Sequence, residues 1–227
     1  MSRTEALLRE QPGLFVSLPR NELELAEAAL EGGADGLKVH LNVHHHASGT
    51  HFGSWAEEQA TIREILALGV PVGMVPGVRE RTITPREALE IEAAGVDFID
   101  AYIQDMPMMV LESLTSLAVM AALGWQDETT SWSLGPLEGR CALLEASVVH
   151  PDGYGQPLAP HDLAAYGQIA ERYPDLPAIV PTQRELGPAE VERVVATGMR
   201  GILIGAIVTG KTAEGIRRVT GEFRQVL

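Results

Sequence analysis

From Leu37 to Val43 the chain alternates without a break: Leu37, Val39, Leu41 and Val43 are apolar, and Lys38, His40 and Asn42 are polar. A period of two marks a strand with two unlike faces. This stretch lies between two helix-like stretches, which favours a parallel βα arrangement with helices outside. Its apolar face then packs beneath those helices, and Lys38, His40 and Asn42 look into an enclosed space. A buried ammonium, imidazole or amide needs a partner or a ligand. The segment is therefore expected to wall a small-molecule site.

The same alternation of apolar runs and helix-period stretches continues along the chain. Strands are predicted at 14–18, 37–43, 71–75, 96–103, 117–122, 142–148, 178–180 and 201–206. Helices are predicted at 2–10, 21–31 with Asn21 as N-cap, 55–68, 85–94, 106–113, 161–172, 188–196 and 213–225. Thr84-Pro85 reads as an N-cap followed by proline at the first helical position. The stretches 44–54 and 151–160 read as loops, and Gly135-Pro136 breaks any long helix within 126–139. Eight strand–helix repeats in this length predict a (β/α)8 TIM barrel, one domain over residues 1–227. Recurrent glycine lead-ins to strands (Gly33-Ala-Asp-Gly36, Gly95-Val-Asp97, Gly198-Met-Arg-Gly201) support one module used many times. A doubly wound open sheet is the alternative and usually needs fewer strands.

A barrel places its site at the carboxyl ends of its strands. That rule selects Ser17, Lys38, His40, Asn42, Asp100, Tyr102, Glu145 and Ser147, then Thr182-Gln183-Arg184 after the seventh strand. Lys38 is the sharpest catalytic candidate, with His40 beside it. In a low-dielectric interior its pKa is expected to fall, which suits a base or a Schiff-base amine. Asp100 and Glu145 then orient it, act as a paired acid and base, or neutralise it. A buried structural ion network is the competing reading. Ser17, Asn42, Tyr102, Ser147, Gln183 and Arg184 are expected to bind substrate. Gly205-Ala206 ends an apolar strand, and Thr209-Gly-Lys-Thr212 precedes the last helix. Backbone N–H groups at such a turn make an anion nest, so Thr182, Gly205, Ala206, Thr209 and Gly210 are the phosphate candidates. The missing upstream glycine rules out a P-loop. The histidines at 40, 44, 45, 46 and 51 invite a metal reading, but no carboxylate sits among them and no helical HExxH spacing exists. Histidines facing solvent or substrate are the commoner case, and no cofactor is expected.

Composition narrows the partners. Net charge is −14 with 17 basic residues and no basic cluster, which disfavours nucleic acid and anionic membranes. A small anionic ligand remains compatible, since a few N–H groups hold a phosphate in an acidic protein. Hydrophobic residues make up 45% of the 227, enough for a substantial core, and 23 glycines and 14 prolines suit many tight connections. The single cysteine, Cys141, makes no internal disulfide and reads as a small buried hydrophobe. With no signal peptide and no apolar run of spanning length, a cytoplasmic location is expected. Self-association is left open.

The pattern Pro71-Val-Gly-Met-Val, then Ile83-Thr-Pro85, then Ala94-Gly-Val-Asp-Phe-Ile-Asp100 resembles N-acetylmannosamine-6-phosphate 2-epimerases. So does Ile204-Gly-Ala-Ile207, similar to their phosphate-holding last strand. The resemblance implies a barrel of the ribulose-phosphate-binding superfamily. Asp100 matches that family's Asp of strand four. Pro76 stands where the family has a Lys, and its strand-seven Glu falls near Pro181, so the resemblance implies the superfamily and not the reaction. Three function classes follow: an isomerase, epimerase or aldolase-type lyase on a phosphorylated small metabolite; a metal-dependent hydrolase using the histidines and Asp100; and a ligand-binding barrel without catalysis.

Overall fold

The computed structural model describes residues 1–130 and 132–227 of the chain. Ser131, within the 126–139 stretch, lies outside the described residues. Eight parallel strands close into a barrel: β1 Gly13–Ser17, β2 Gly36–His40, β3 Val72–Val75, β4 Phe98–Tyr102, β5 Ala118–Gly124, β6 Leu143–Ser147, β7 Ala178–Pro181 and β8 Gly201–Ile204. Each pairs with its neighbours in chain order, and β1 closes the ring against β8 through Gly13↔Gly201 to Val16↔Ile204. The expected (β/α)8 barrel is the observed fold.

The helices are α1 Arg3–Glu10, α2 Leu23–Glu31, α3 Trp55–Leu66, α4 Pro85–Ala94, α5 Met108–Ser113, α6 Pro160–Arg172, α7 Val191–Val195, α8 Ala206–Thr209 and α9 Ala213–Arg224. The α4 start follows the expected chemistry. Thr84 Oγ1 accepts from the Glu87 N–H, and Glu87 accepts from the Thr84 N–H in return. Gly95 ends the helix with φ 96°, a left-handed position that costs glycine little. Between β5 and β6 the described residues carry only 3-10 turns, at Trp125–Thr130 and Gly135–Leu137. No helix among the described residues is long and apolar enough to cross a membrane.

Strand side chains alternate between the helix layer and the barrel interior. The interior is layered along its axis. Phe15, Phe98, Met120, Leu143, Ile179 and Leu203 fill the lower half, and Leu8 of α1 plugs that end. The N–H groups of Arg3 and Thr4 at the head of α1 donate to the Asp97 carboxylate at 2.7 and 2.9 Å, seating the plug. Two residues further along, β1, β4 and β6 place polar Ser17, Asp100 and Glu145 in the interior, while β5, β7 and β8 place Ala122, Pro181 and Gly205 there.

Three expectations change in this part of the chain. The strand predicted at 37–43 ends at His40, because Asn42 adopts φ 57°, a left-handed backbone that breaks the extended run. The expected loop 44–54 contains a two-stranded antiparallel hairpin, His44–His45 against Thr50–His51. Asn21 is not the cap of α2, whose N-cap is Glu22. Its amide instead pairs with the backbone of His40 in both directions, Nδ2 donating to the carbonyl at 2.8 Å and Oδ1 accepting the N–H at 3.2 Å.

Candidate active site

The polar half of the interior opens into a cavity of about 340 Å³ at the carboxyl ends of the strands. At its floor Lys38 Nζ donates to Asp100 Oδ2 at 2.7 Å and to Glu145 Oε2 at 2.5 Å. The three groups come from β2, β4 and β6, each from a position whose predecessor two residues earlier belongs to the lower interior. Their exposures are 6, 2 and 5%, so the cluster is nearly withdrawn from water.

Burial alone would lower the Lys38 pKa, as the sequence suggests. Asp100 and Glu145 overturn that expectation: their charges and hydrogen bonds outweigh desolvation and hold the ammonium above its ordinary value. The two carboxyls separate. Desolvation and the neighbouring Glu145 charge raise Asp100 well above the usual carboxylate range. Glu145, despite its burial, is held below its ordinary value by Lys38 and by hydrogen bonds. A geometric difference adds to the split. Ser147 Oγ donates to Glu145 Oε1 at 2.6 Å, whereas Asp100 Oδ1 is buried without a partner. Asp100 is thus the weaker acid and Glu145 the stronger of the two carboxyls that flank the ammonium.

His40 lies beside the triad, 2% exposed, with Nε2 at 3.4 Å from Ser17 Oγ and Nδ1 without a partner. Burial, with His45 and Lys38 nearby, keeps its pKa well below an ordinary imidazole's. The hairpin comes down over this floor. His45 stacks on His40 with centroids 4.5 Å apart, Phe52 packs at 4.7 Å on His40, and His45 Nδ1 is 2.8 Å from Ser48 Oγ. Burial and Lys38 hold His45 down to about 4. Further out, Gln183 joins two loops: its Oε1 accepts the Val149 N–H at 3.1 Å and its Nε2 donates to Tyr154 OH at 2.7 Å.

Of the residues singled out from the sequence, Ser17, Lys38, His40, Asp100, Tyr102, Glu145, Ser147, Thr182, Gln183 and Gly205 line this one cavity. Others are engaged elsewhere. Asn42 donates to the Pro76 carbonyl at 3.3 Å, fixing the turn after β2. Arg184 is held by both oxygens of Asp162, at 2.9 and 3.0 Å, and donates to the Gly153 carbonyl. That fork ties the loop after β7 to α6 and leaves the guanidinium no part of the cavity wall. Thr209 spends its hydroxyl on the carbonyls of Gly205 and Gly210. The Gly205 N–H is taken by Thr182 Oγ1 at 2.9 Å, so the amides left for an anion are those opening α8, at Ala206 and Ile207.

The histidines pair with one another: His44 with His51 at 4.1 Å, His40 with His45 at 4.5 Å. Among the described residues no group of three His, Cys, Asp or Glu side chains gathers to hold a metal ion. Among the described residues the hydrolase reading finds no ligand set. Tyr154 lines the cavity and is missed by sequence reasoning. Its signal is an aromatic held between Gly153 and Gly155 in a long connection, which marks a loop without saying where its ring points.

No protein-family model and no curated protein sequence matches the chain. Solved structures resemble it in fold. Thiamine phosphate pyrophosphorylase from Pyrococcus furiosus is 18% identical over 96% of both chains, with a TM-score of 0.64. 3-Hexulose-6-phosphate synthase is 14% identical over 95% of this chain and 99% of that chain, at 0.68. Tryptophan synthase from M. tuberculosis is 14% identical over 98% of both, at 0.70. What the chain shares with these structures is the closed eight-stranded α/β barrel.

Proposed function

We propose that this chain is an enzyme of the ribulose-phosphate-binding barrel superfamily that moves a proton at a carbon next to the carbonyl of a small, sugar-phosphate-like substrate, as an isomerase or epimerase. The observation that carries this reading is the Lys38–Asp100–Glu145 triad at the floor of an enclosed cavity. Two carboxyls whose environments push their pKa values apart are the recurring form of an acid–base pair. Glu145, the ionised member, takes the proton. The Lys38 ammonium stabilises the enediolate oxygen that forms, in a site where such a charge counts for more than in water. Asp100, the protonated member, returns a proton. An aldolase-type route through a Schiff base needs Lys38 as a free amine, which the Glu145 carboxylate and the hydrogen bond to Asp100 oppose.

Phosphate recognition falls to the Ala206 and Ile207 amides with Thr182 behind them, the region after strands seven and eight where barrels commonly hold phosphate. Among the fold neighbours, one is named for thiamine phosphate and one for a hexulose 6-phosphate. These names support a phosphorylated substrate here by analogy of fold.

The test is a panel of ribulose 5-phosphate, fructose 6-phosphate and dihydroxyacetone phosphate. A true ligand raises the melting temperature, and in D2O the protein incorporates deuterium beside the carbonyl. Lys38→Met removes the incorporation and retains binding. If no member of the panel shifts melting or gains deuterium, the reading fails.

A further inference from the structure

The connection between β6 and α6 is pinned beside the cavity by three successive residues after β7. The Gly155 N–H donates to the Gln183 carbonyl at 2.9 Å, Arg184 donates to the Gly153 carbonyl at 3.0 Å, and the Glu185 N–H donates to the Gln156 carbonyl at 2.9 Å. Tyr154 lies in the middle of this ladder and lines the cavity. The Gln183 amide then decides what the phenol can do. Its Oε1 accepts at 3.1 Å from the Val149 N–H, a backbone group that can only donate. Turning the amide round would set two donors against each other, so its orientation is fixed. Nε2 therefore faces Tyr154 and donates to the phenol oxygen at 2.7 Å. Tyr154 is the acceptor in that bond, and its own proton is spare. Among the described residues no hydrogen bond takes that proton, which is left for whatever fills the cavity. Burial raises the phenol above its ordinary value, so it stays a donor through neutral pH.

We infer that Tyr154 is a specificity-determining residue that donates its proton to a hydroxyl oxygen on the carbon chain between the carbonyl and the phosphate of a ketose phosphate. This role of Tyr154 rests on the proton-transfer reading above and narrows its substrate class to ketose phosphates longer than a triose. Position selects the oxygen. Around the ring, β7 lies between β6, which carries Glu145, and β8, which leads to the Ala206 and Ile207 amides. The Tyr154–Gln183 bond joins the connection after β6 to the end of β7. The phenol thus stands beside the stretch that a ligand covers in reaching from those amides to Glu145. Dihydroxyacetone phosphate has no hydroxyl in that stretch, and ribulose 5-phosphate has two. Gln183 acts through Tyr154 and is the positioning residue.

The experiment measures the dissociation constants of ribulose 5-phosphate and dihydroxyacetone phosphate by calorimetry and reads their ratio. Wild type binds ribulose 5-phosphate the more tightly. Tyr154→Phe keeps the ring and lowers that preference about 2- to 10-fold, the usual worth of one neutral hydrogen bond. Gln183→Glu keeps the size of the side chain and the bond from Val149 but turns an acceptor toward Tyr154. The phenol proton then goes to the new carboxylate, so the preference falls as far as in Tyr154→Phe, and the double variant falls no further. A residue that only packs, or a charge that merely repels phosphate, weakens both ligands together and leaves the ratio alone. Melting temperatures verify that the variants fold. Wild type without the preference, or an unchanged ratio in either single variant, overturns the role of Tyr154 and leaves the proton-transfer reading to its deuterium test. Wild type that binds no member of the sugar-phosphate panel overturns both.

Discussion

The two halves of the barrel interior are built from the same strands and differ by a step of two residues. On β4 the step runs from Phe98 to Asp100, on β6 from Leu143 to Glu145, on β1 from Phe15 to Ser17. The lower half is closed apolar packing under Leu8. The upper half holds a lysine and two carboxyls at similar burial. Burial of the first kind stabilises the fold, at about 25 cal/mol per Å² of apolar surface removed from water. Burial of the second kind costs desolvation that the ion pairs only partly return. A buried charge cluster retained at the mouth of a barrel is thus poorly explained as a source of stability, which is why the triad points to chemistry.

The sharpest way to break this contrast is to alter each half in turn. Lys38→Met leaves two carboxyls facing each other without their cation; it should abolish turnover and cost about 3–5 kcal/mol, the usual loss when one partner of a buried pair is removed. Adding Asp100→Asn and Glu145→Gln should restore most of that stability and none of the activity, as read by denaturant unfolding alongside the deuterium assay. If the triple variant stays as unstable as the single one, the triad is a stabilising device and the contrast collapses. In the lower half, Phe98→Ala should cost about 3–5 kcal/mol through lost transfer energy and a cavity. Turnover per folded molecule should survive that change. Smaller is Asn21→Ala, which removes two hydrogen bonds holding the end of β2. About 1–3 kcal/mol is expected, since the His40 N–H and carbonyl are left buried without partners.

The smallest effect is a pH dependence confined to the upper half. His40 and His45 are both held below the ordinary 6.5, His45 to about 4. The unfolded chain takes up protons that the folded chain refuses. Their contribution is therefore whole above about pH 6.5 and drains away as pH falls toward 4. Asp100, raised by burial, works in the opposite sense, its share being full in acid and lost as pH rises. His45→Gln separates the two: melting temperature plotted against pH should lose part of its acid slope, and an unchanged slope would deny His45 this role.

Apolar runs alternating with helix-period stretches are enough to find the ring of strands. Lys38, Asp100, Glu145 and Ser147 were legible as polar side chains at inward positions late in their strands. The charge state of Lys38 was not, because it depends on partners 62 and 107 residues away. Arg184 looked free because its acid, Asp162, lies 22 residues back on α6. The hairpin escaped notice because its strands are two residues each, too short for periodicity to register. Asn42 ended the strand through its backbone angle, which the alternating pattern across it gives no sign of.

The inner face of β3 opposite Phe98 carries one more implication. A Cβ built on Gly73 would collide with the Phe98 ring. The two positions therefore behave as a single unit of inheritance: a descendant that acquires even a methyl group at position 73 must first give up the aromatic at position 98. Any natural or engineered drift of this barrel floor has to pass through that paired exchange.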